Sequence, residues 1–164
     1  VTLAGRVTLR PLTPADEPLA FAVYASTREE ELAPVPWSRE QKEAFLRFQF
    51  HAQSTDYRLN YPDAQVDVIL MDGEPVGRLY VDRRPDEIRI IDIAVLTAAR
   101  GRGAGTFLLQ NLCEEARRMK QPVTIHVEKN NPALRLYQRL GFRQVEELDL
   151  HFLMRWRGED SPHA

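Results

Sequence analysis

Three features of this chain could do chemistry together. They are a glycine run flanked by arginines, a carboxylate inside an apolar segment, and a tyrosine behind an asparagine pair. The run is Arg100-Gly101-Arg102-Gly103-Ala104-Gly105-Thr106. It follows Ile88–Val95, whose β-branched, almost continuously apolar sequence reads as a strand buried on both faces. It precedes Leu108, Leu109, Leu112, Cys113, Ala116 and Met119, spaced as a helical stripe. Glycines there let a ligand approach the backbone, and the first free amides of a helix, with its dipole, favour an anion. Arg100 and Arg102 add positive charge, and the segment reads as a pyrophosphate cradle. A tight strand-to-helix turn without a ligand accounts for the same spacing. A Walker A loop is excluded, because no lysine follows Gly105, and the third glycine of a dinucleotide fingerprint starting at Gly101 is replaced by Thr106.

Asp92 shares a strand face with Ile88, Ile90 and Ala94, where a carboxylate is costly unless paired or used. It is a candidate base, direct or through water, an anchor for a cationic amine, or a partner for an arginine. Glu87 at the strand's start is the second candidate. His126 and Glu128 share a strand face without a ligand at metal spacing, so no metal is expected. Cys113 sits in the helical stripe and reads as a core residue. With one cysteine there is neither a disulfide framework nor a cysteine zinc site.

The elements that must position these groups follow from the pattern. Arg6–Arg10 alternates as a first strand, and Thr13 with Pro14 opens a helix carrying Leu19, Ala22 and Val23. Arg28–Pro36, holding Glu29, Glu30 and Glu31, reads as a loop. Ser38 and Gln41 form a capping box, behind which Ala44, Phe45, Phe48 and Ala52 share a helical face. Ser54–Gln65, with Tyr57 and Tyr61, reads as a connection. Asp72-Gly73 joins strands Val66–Met71 and Val76–Val81 as a hairpin. Pro122–Val127 is a strand, Asn130-Asn131-Pro132 opens a helix with Ala133, Leu136, Tyr137 and Leu140 on one face, and Phe142–Leu148 and Leu150–Trp156 close the sheet. The order β-α-α-β-β-β-α-β-α-β-β predicts an α/β fold with a mixed sheet, one parallel crossover falling at the glycine loop. Residues 1–157 read as a single domain and 158–164 as a polar tail.

Composition narrows the function. The 164 residues suffice for a real core, and 43% hydrophobic with 28% charged residues is ordinary for a globular protein. A net charge of −2 argues against a nucleic-acid surface. No apolar run reaches the roughly 20 residues of a membrane span, and the first twelve residues lack the apolar core of a secretory signal. Cytoplasmic residence is the resulting expectation.

Arg100-x-x-Gly103-x-Gly105 after a strand, followed by Asn130-x-x-Ala133-x-x-Leu136-Tyr137-x-x-x-Gly141-Phe142, resembles the GCN5-related N-acetyltransferase (GNAT) family. The first piece is similar to that family's [Gln/Arg]-x-x-Gly-x-[Gly/Ala] pyrophosphate motif and the second to its downstream Asn…Leu-Tyr…Gly-Phe motif. The likeness covers Val66–Trp156 and is loose before it. It implies a GNAT-like acyl-CoA N-acyltransferase fold of about seven strands and about four helices, splayed between the strands ending at Val95 and Val127. Acetyl-CoA is then the co-substrate. Its pantetheine pairs with the backbone of Ile93, Ala94 and Val95, and its pyrophosphate lies on Arg100, Gly101, Arg102, Gly103, Ala104, Gly105 and Thr106. An amide near Val95 polarises the acetyl carbonyl, Tyr137 donates to the departing sulfur, and Asn130 contacts CoA while Asn131 caps the helix, although the Asn-Pro-Ala spelling also suits Asn131 as the contact.

The implied reaction is direct acetyl transfer, in a ternary complex, to a primary amine of a small molecule, protein or peptide. The rival reading is a non-catalytic acyl-CoA-binding or interaction module. An alkyl amine of pKa ~10.4 needs a base more than an α-amino group of ~7.7–8. A phenol of about 10 facing a thiol of about 8.5 makes full proton transfer uphill by roughly 2 kcal/mol, so Tyr137 serves as a hydrogen-bond donor unless its pKa is lowered. The resemblance places the acceptor groove near Glu29–Glu31 and Tyr57–Tyr61. Closing strands in such proteins often pair with another subunit, which implies a homodimer.

Overall fold

The computed structural model describes residues 3–158; residues 159–164 of the expected tail lie outside them. Seven strands, β1 (Val7–Pro11), β2 (Gln65–Met71), β3 (Glu74–Arg83), β4 (Ile88–Val95), β5 (Val123–Glu128), β6 (Arg143–Glu147) and β7 (His151–Trp156), hydrogen-bond in the order β1-β2-β3-β4-β5-β7-β6. β4 and β5 run parallel, as the crossover at the glycine loop requires, whereas β1–β2, β5–β7 and β6–β7 are antiparallel. The helices are α1 (Glu17–Thr27), α2 (Glu29–Leu32), α3 (Arg39–Asn60), α4 (Ala104–Met119) and α5 (Leu134–Arg139). The mixed α/β sheet is the expected one. The fifth helix is the single turn α2, formed where a loop is expected.

The backbone groups into two compact units: Val1–Leu79 with Ile93–Arg102, and Tyr80–Asp92 with Gly103–Ala164. In the first, Asp72 (φ 51°) and Gly73 (φ 83°) put both turn residues at positive φ, the geometry that matches strand twist in a two-residue hairpin. Arg6 grips Asp72 with two hydrogen bonds of 2.9 and 2.8 Å. Pro14–Asp16 forms a 3-10 turn before α1 instead of the helix's own first turn. The Ser38–Gln41 box starts α3: Gln41 N–H donates to Ser38 Oγ (3.1 Å), and Ser38 N–H to Gln41 Oε1 (2.8 Å).

Helix α3 departs from expectation twice. It runs on to Asn60, taking Tyr57 into its last turn, where Asn60 Nδ2 donates to the Asp56 carbonyl. The shared face of Ala44, Phe45, Phe48 and Ala52 points to solvent. Phe50 goes inward, packing with Ala20 and Tyr24, and Leu46 lies against that cluster.

In the second unit α4 buries Leu108, Leu109, Leu112, Cys113 and Ala116, but Met119 is 63% exposed because the helix ends there, at Lys120 in the left-handed region. The parallel ladder pairs Ile88–Ile90 with Val123–Ile125 and extends no further, while β5 continues against β7 to Glu128. Ile91 through Val95 are only half-buried, in place of a strand enclosed on both faces throughout.

Candidate functional site

Along the first unit the site begins with a glycine. A Cβ at Gly77 in β3 would collide with the Ala94 carbonyl oxygen and sit 3.1 Å from Val95 Cα. The Ala94 carbonyl is therefore aimed at β3. The two groups of a trans peptide point in opposite directions, so the Val95 N–H leaves β4 by its other edge. Leu96 N–H returns to the Val76 carbonyl at 2.7 Å and closes the strand. Gly77 is absent from the candidates the sequence offered, although it sets this close approach. An isolated glycine within a strand pattern, a sign of close backbone approach, was its only trace.

Beyond a 3-10 turn (Thr97–Ala99), Arg100 is extended, and Gly101 takes φ +77° with open space where a Cβ would be. The Arg100 guanidinium turns back: Nε donates to the Val95 carbonyl (3.1 Å), and Nη2 to the carbonyl (3.3 Å) and Oγ (3.4 Å) of buried Ser26. Arg100 thus ties the end of β4 to α1. Arg102 lies near enough to Asp72 to help lower its carboxyl, after the larger effects of Arg6. Glu29 accepts from Thr97 Oγ1 at 3.3 Å, which fixes one carboxylate of the acidic run beside the strand end.

In the second unit Gly103, at φ 85°, caps α4, and the first helical hydrogen bond runs from Phe107 N–H to the Gly103 carbonyl (2.9 Å). The amides of Ala104, Gly105 and Thr106 precede it and are the helix's unspent donors. Gly105, like Gly101, has open space at its Cβ position. The start of α4 can take a diphosphate, since the missing side chain of Gly105 leaves room for one and the helix supplies amides and positive dipole.

Tyr137 lies on α5, 4% exposed. Burial, then the charge of Asp92, pushes its phenol up to about 12. The Tyr137 carbonyl accepts from Phe142 N–H (3.0 Å), and the two rings meet edge to face at 5.6 Å. Gly141 allows that closure at φ +100°, and a Cβ there would press on the Trp156 ring at 3.2 Å. Leu-Tyr-x-x-x-Gly-Phe is thus a helix C-terminus that fixes the tyrosine. At the other end α5 begins at Leu134, later than the Asn130-Asn131-Pro132 opening expected, with Ala133 as its N-cap and no side-chain cap; Asn131 Oδ1 accepts from Ala133 N–H (2.8 Å) in the turn before the helix, and Asn130 is exposed just beyond β5.

The remaining candidates are engaged elsewhere. Glu87 Oε1 accepts from Thr124 Oγ1 (2.9 Å) and Arg84 Nη1 (3.2 Å) and forms an ion pair with Arg89 Nη2 (3.1 Å). His126 is lowered by desolvation and by Arg89, whose Nη1 lies 3.4 Å from its Nδ1. The Cys113 thiol is buried and pushed up to about 12, far from a reactive thiolate. No group of three or more metal-ligating side chains occurs among the described residues.

Comparison with known proteins gives a concordant picture. The profile of the acetyltransferase (GNAT) family matches residues 23–142. A stretch of 96 residues is 36% identical to the cysteine-rich protein 2-binding protein of Mus musculus and 35% identical to that of Homo sapiens. The match spans 57% of this chain but 12% of those proteins. The PaiA N-acetyltransferase of Thermoplasma acidophilum, solved with coenzyme A, superposes with a TM-score of 0.68 at 16% identity over 93% of this chain and 99% of that one. A GNAT acetyltransferase of Elizabethkingia anophelis with acetyl-CoA bound gives 0.59 at 18% identity, covering 93% and 98%. In fold and in the order of its motifs, this chain belongs to the GNAT family of acetyltransferases.

Proposed function

We propose that the chain transfers an acetyl group from acetyl-CoA to a primary amine of a small molecule, protein or peptide, by direct attack with both substrates bound. The observation that carries this reading is the buried phenol of Tyr137, kept protonated and coupled to Asp92. An acyl-CoA-binding module has no need of such a donor.

The amine nitrogen attacks the thioester carbon, the C–S bond breaks and the thiolate departs. The Val95 N–H meets the developing oxyanion, worth about 3–4 kcal/mol where such a donor is deleted elsewhere. Gly101, Arg102, Gly103, Ala104, Gly105 and Thr106 hold the pyrophosphate, the backbone of Ile93 and Ala94 the pantetheine, and Asn130 the cofactor's far side. Arg100 contributes by fixing the strand end. With its phenol at about 12, against a thiol near 8.5, full proton transfer from Tyr137 is uphill by roughly 5 kcal/mol. Tyr137 therefore acts as a hydrogen-bond donor to the thiolate, and the lowered pKa left open from the sequence is replaced by a raised one. The ammonium proton passes to Asp92, directly or through water; Glu87, already accepting from Thr124 and Arg84 and ion-paired with Arg89, is a poor alternative. The buried, protonated Cys113 supports direct transfer over a cysteinyl intermediate.

Thiol release from acetyl-CoA against a panel of small amines and of peptides with free α- and ε-amino groups tests the reading. Turnover on at least one amine, lost in Tyr137→Phe, is the expected result. Tight CoA binding without turnover on any amine would mark the binding module instead.

A further inference from the structure

Helices α1, α2 and α3 of the first unit line a solvent-open cavity of about 410 Å³. Small-molecule pockets run from roughly 300 to 1,000 Å³, mostly apolar, with a few charged or polar groups that fix the ligand's orientation. The apolar wall is Ala22, Ala25, Leu32, Ala33 and Leu46, three of them alanines whose short side chains leave the room. Two opposite charges enter from different helices, Glu29 from the start of α2 and Lys42 from the first turn of α3. They do not pair with each other. Lys42 is half-buried and has no ion-pair partner among the described residues. Glu29 accepts from Thr97 Oγ1 at 3.3 Å, and a carboxylate has capacity for further donors. The cavity also abuts the end of β4. Ser26 in its wall is held by Arg100, whose Nε lies on the Val95 carbonyl, and Glu29 by Thr97, two residues past Val95.

We infer that this cavity takes the acceptor and that the acceptor is a free α-amino acid with an apolar side chain, an assignment that rests on the transferase function proposed above. Lys42 pairs with the carboxylate, Glu29 receives the ammonium beside the strand end, and the alanine-rich wall takes the side chain. Charge sorts the alternatives. A diamine brings a second cation to Lys42, a simple alkylamine leaves Lys42 unmet, and a peptide N-terminus carries an amide where the carboxylate belongs. The step consumes one ammonium and one thioester and yields a neutral amide, a free thiol and one proton. Acetylation thereby removes the charge that Glu29 holds, which weakens product binding and favours release.

Thiol release from acetyl-CoA with L-leucine, L-leucinamide and isopentylamine tests this, alongside calorimetry of each with the CoA-loaded full chain. Leucine should exceed both analogues at least about tenfold in kcat/KM, the effect of one charge-assisted pairing. Lys42→Met should narrow the leucine-to-leucinamide ratio at least about tenfold, and Lys42→Glu should invert it. Ala22→Leu, at an exposed position on α1, should fold normally but shift preference from leucine toward alanine about tenfold by filling the wall. Equal use of leucine and leucinamide overturns the inference, as does a ratio that Lys42→Met leaves unchanged. Turnover of other amines with leucine ignored overturns it and leaves the transferase function standing. Heat from leucine that Lys42→Met abolishes, without turnover on any amine, supports the site and overturns the transferase function alone.

Discussion

Asp92 and Tyr137 are electrostatically coupled: burial pushes the Tyr137 phenol up, and the Asp92 carboxylate pushes it further, to about 12. A donor that cannot ionise at working pH suits a reaction in which the group leaving beside it becomes an anion. The same coupling makes both residues accessible to measurement.

Replacing Tyr137 by Phe removes the donor but keeps the ring that Phe142 packs against. The expected loss in kcat is about 10²–10⁴, with CoA affinity by calorimetry nearly unchanged. Stability supplies a second readout. The unfolded chain releases the phenolic proton from about pH 10 and the folded chain only near 12, so the folded state binds more protons in that window and loses stability as pH rises. Wild type should lose about 2–3 kcal/mol more than Tyr137→Phe between those limits in denaturant titrations. Equal alkaline losses would place the phenol in water.

Asp92→Asn separates base from bystander. As the base, Asp92 sets the acidic limb of the kcat/KM profile, and its amide should abolish that limb and lower the rate. Independently, removing the charge should bring the Tyr137 transition, read from phenolate absorbance, below about 12, leaving the larger effect of burial in place. A retained limb with a lowered transition assigns Asp92 to tuning Tyr137 alone.

Much of this was legible in the chain because local chemistry dictated it. Asp72-Gly73, Ser38 with Gln41, and Gly141-Phe142 each solve a backbone problem with a side chain or a positive φ, and each sits where its pattern indicated, whereas Asn131 holds the turn before α5 instead of capping it. What failed to show depends on partners distant in sequence. Apolar residues on α3 fall on two faces, Phe45 and Phe48 on one and Leu46 and Phe50 on the other, and only Tyr24 and Ala20 decide which is the core. The closeness of Ala94 to Gly77, the return of Arg100 to Ser26 and the shift of Tyr137 need tertiary packing before they exist.

Gly77→Ala tests whether the direction of the Val95 amide depends on β3. The new Cβ meets the Ala94 carbonyl, which must swing away or force the strands apart. A cost of about 1–3 kcal/mol in stability is expected, from the melting midpoint. Because the displaced peptide carries the Val95 N–H, kcat should fall by more than CoA affinity does. A stability loss with kcat intact would detach the amide from the chemistry.

Gly105→Leu sets stability against binding, with Gly105→Ala as its control. Open space surrounds the Cβ position, and both residues are better helix formers than glycine by about 0.5–1 kcal/mol, so the free protein should gain stability or hold it. The motif admits alanine at this position, and Gly105→Ala should bind CoA as before; a pyrophosphate on the helix start meets the longer side chain of Gly105→Leu, and CoA affinity should drop at least about tenfold. A stable Gly105→Leu that binds CoA as before would leave the turn without a ligand role.

Arg100 has two readings that one conservative change distinguishes. As a phosphate ligand it acts through charge, and Arg100→Lys should keep most of the CoA affinity that Arg100→Ala loses, with binding weakened further by salt. As a clamp it acts through its planar fork, Nε on the Val95 carbonyl and Nη2 on Ser26, and a lysine cannot span both. The geometry predicts the second outcome: Lys and Ala variants equally impaired, kcat falling with the loosened strand end, and Ser26→Ala reproducing a smaller share of the loss by removing one acceptor. Rescue by lysine at low salt would return Arg100 to the pyrophosphate.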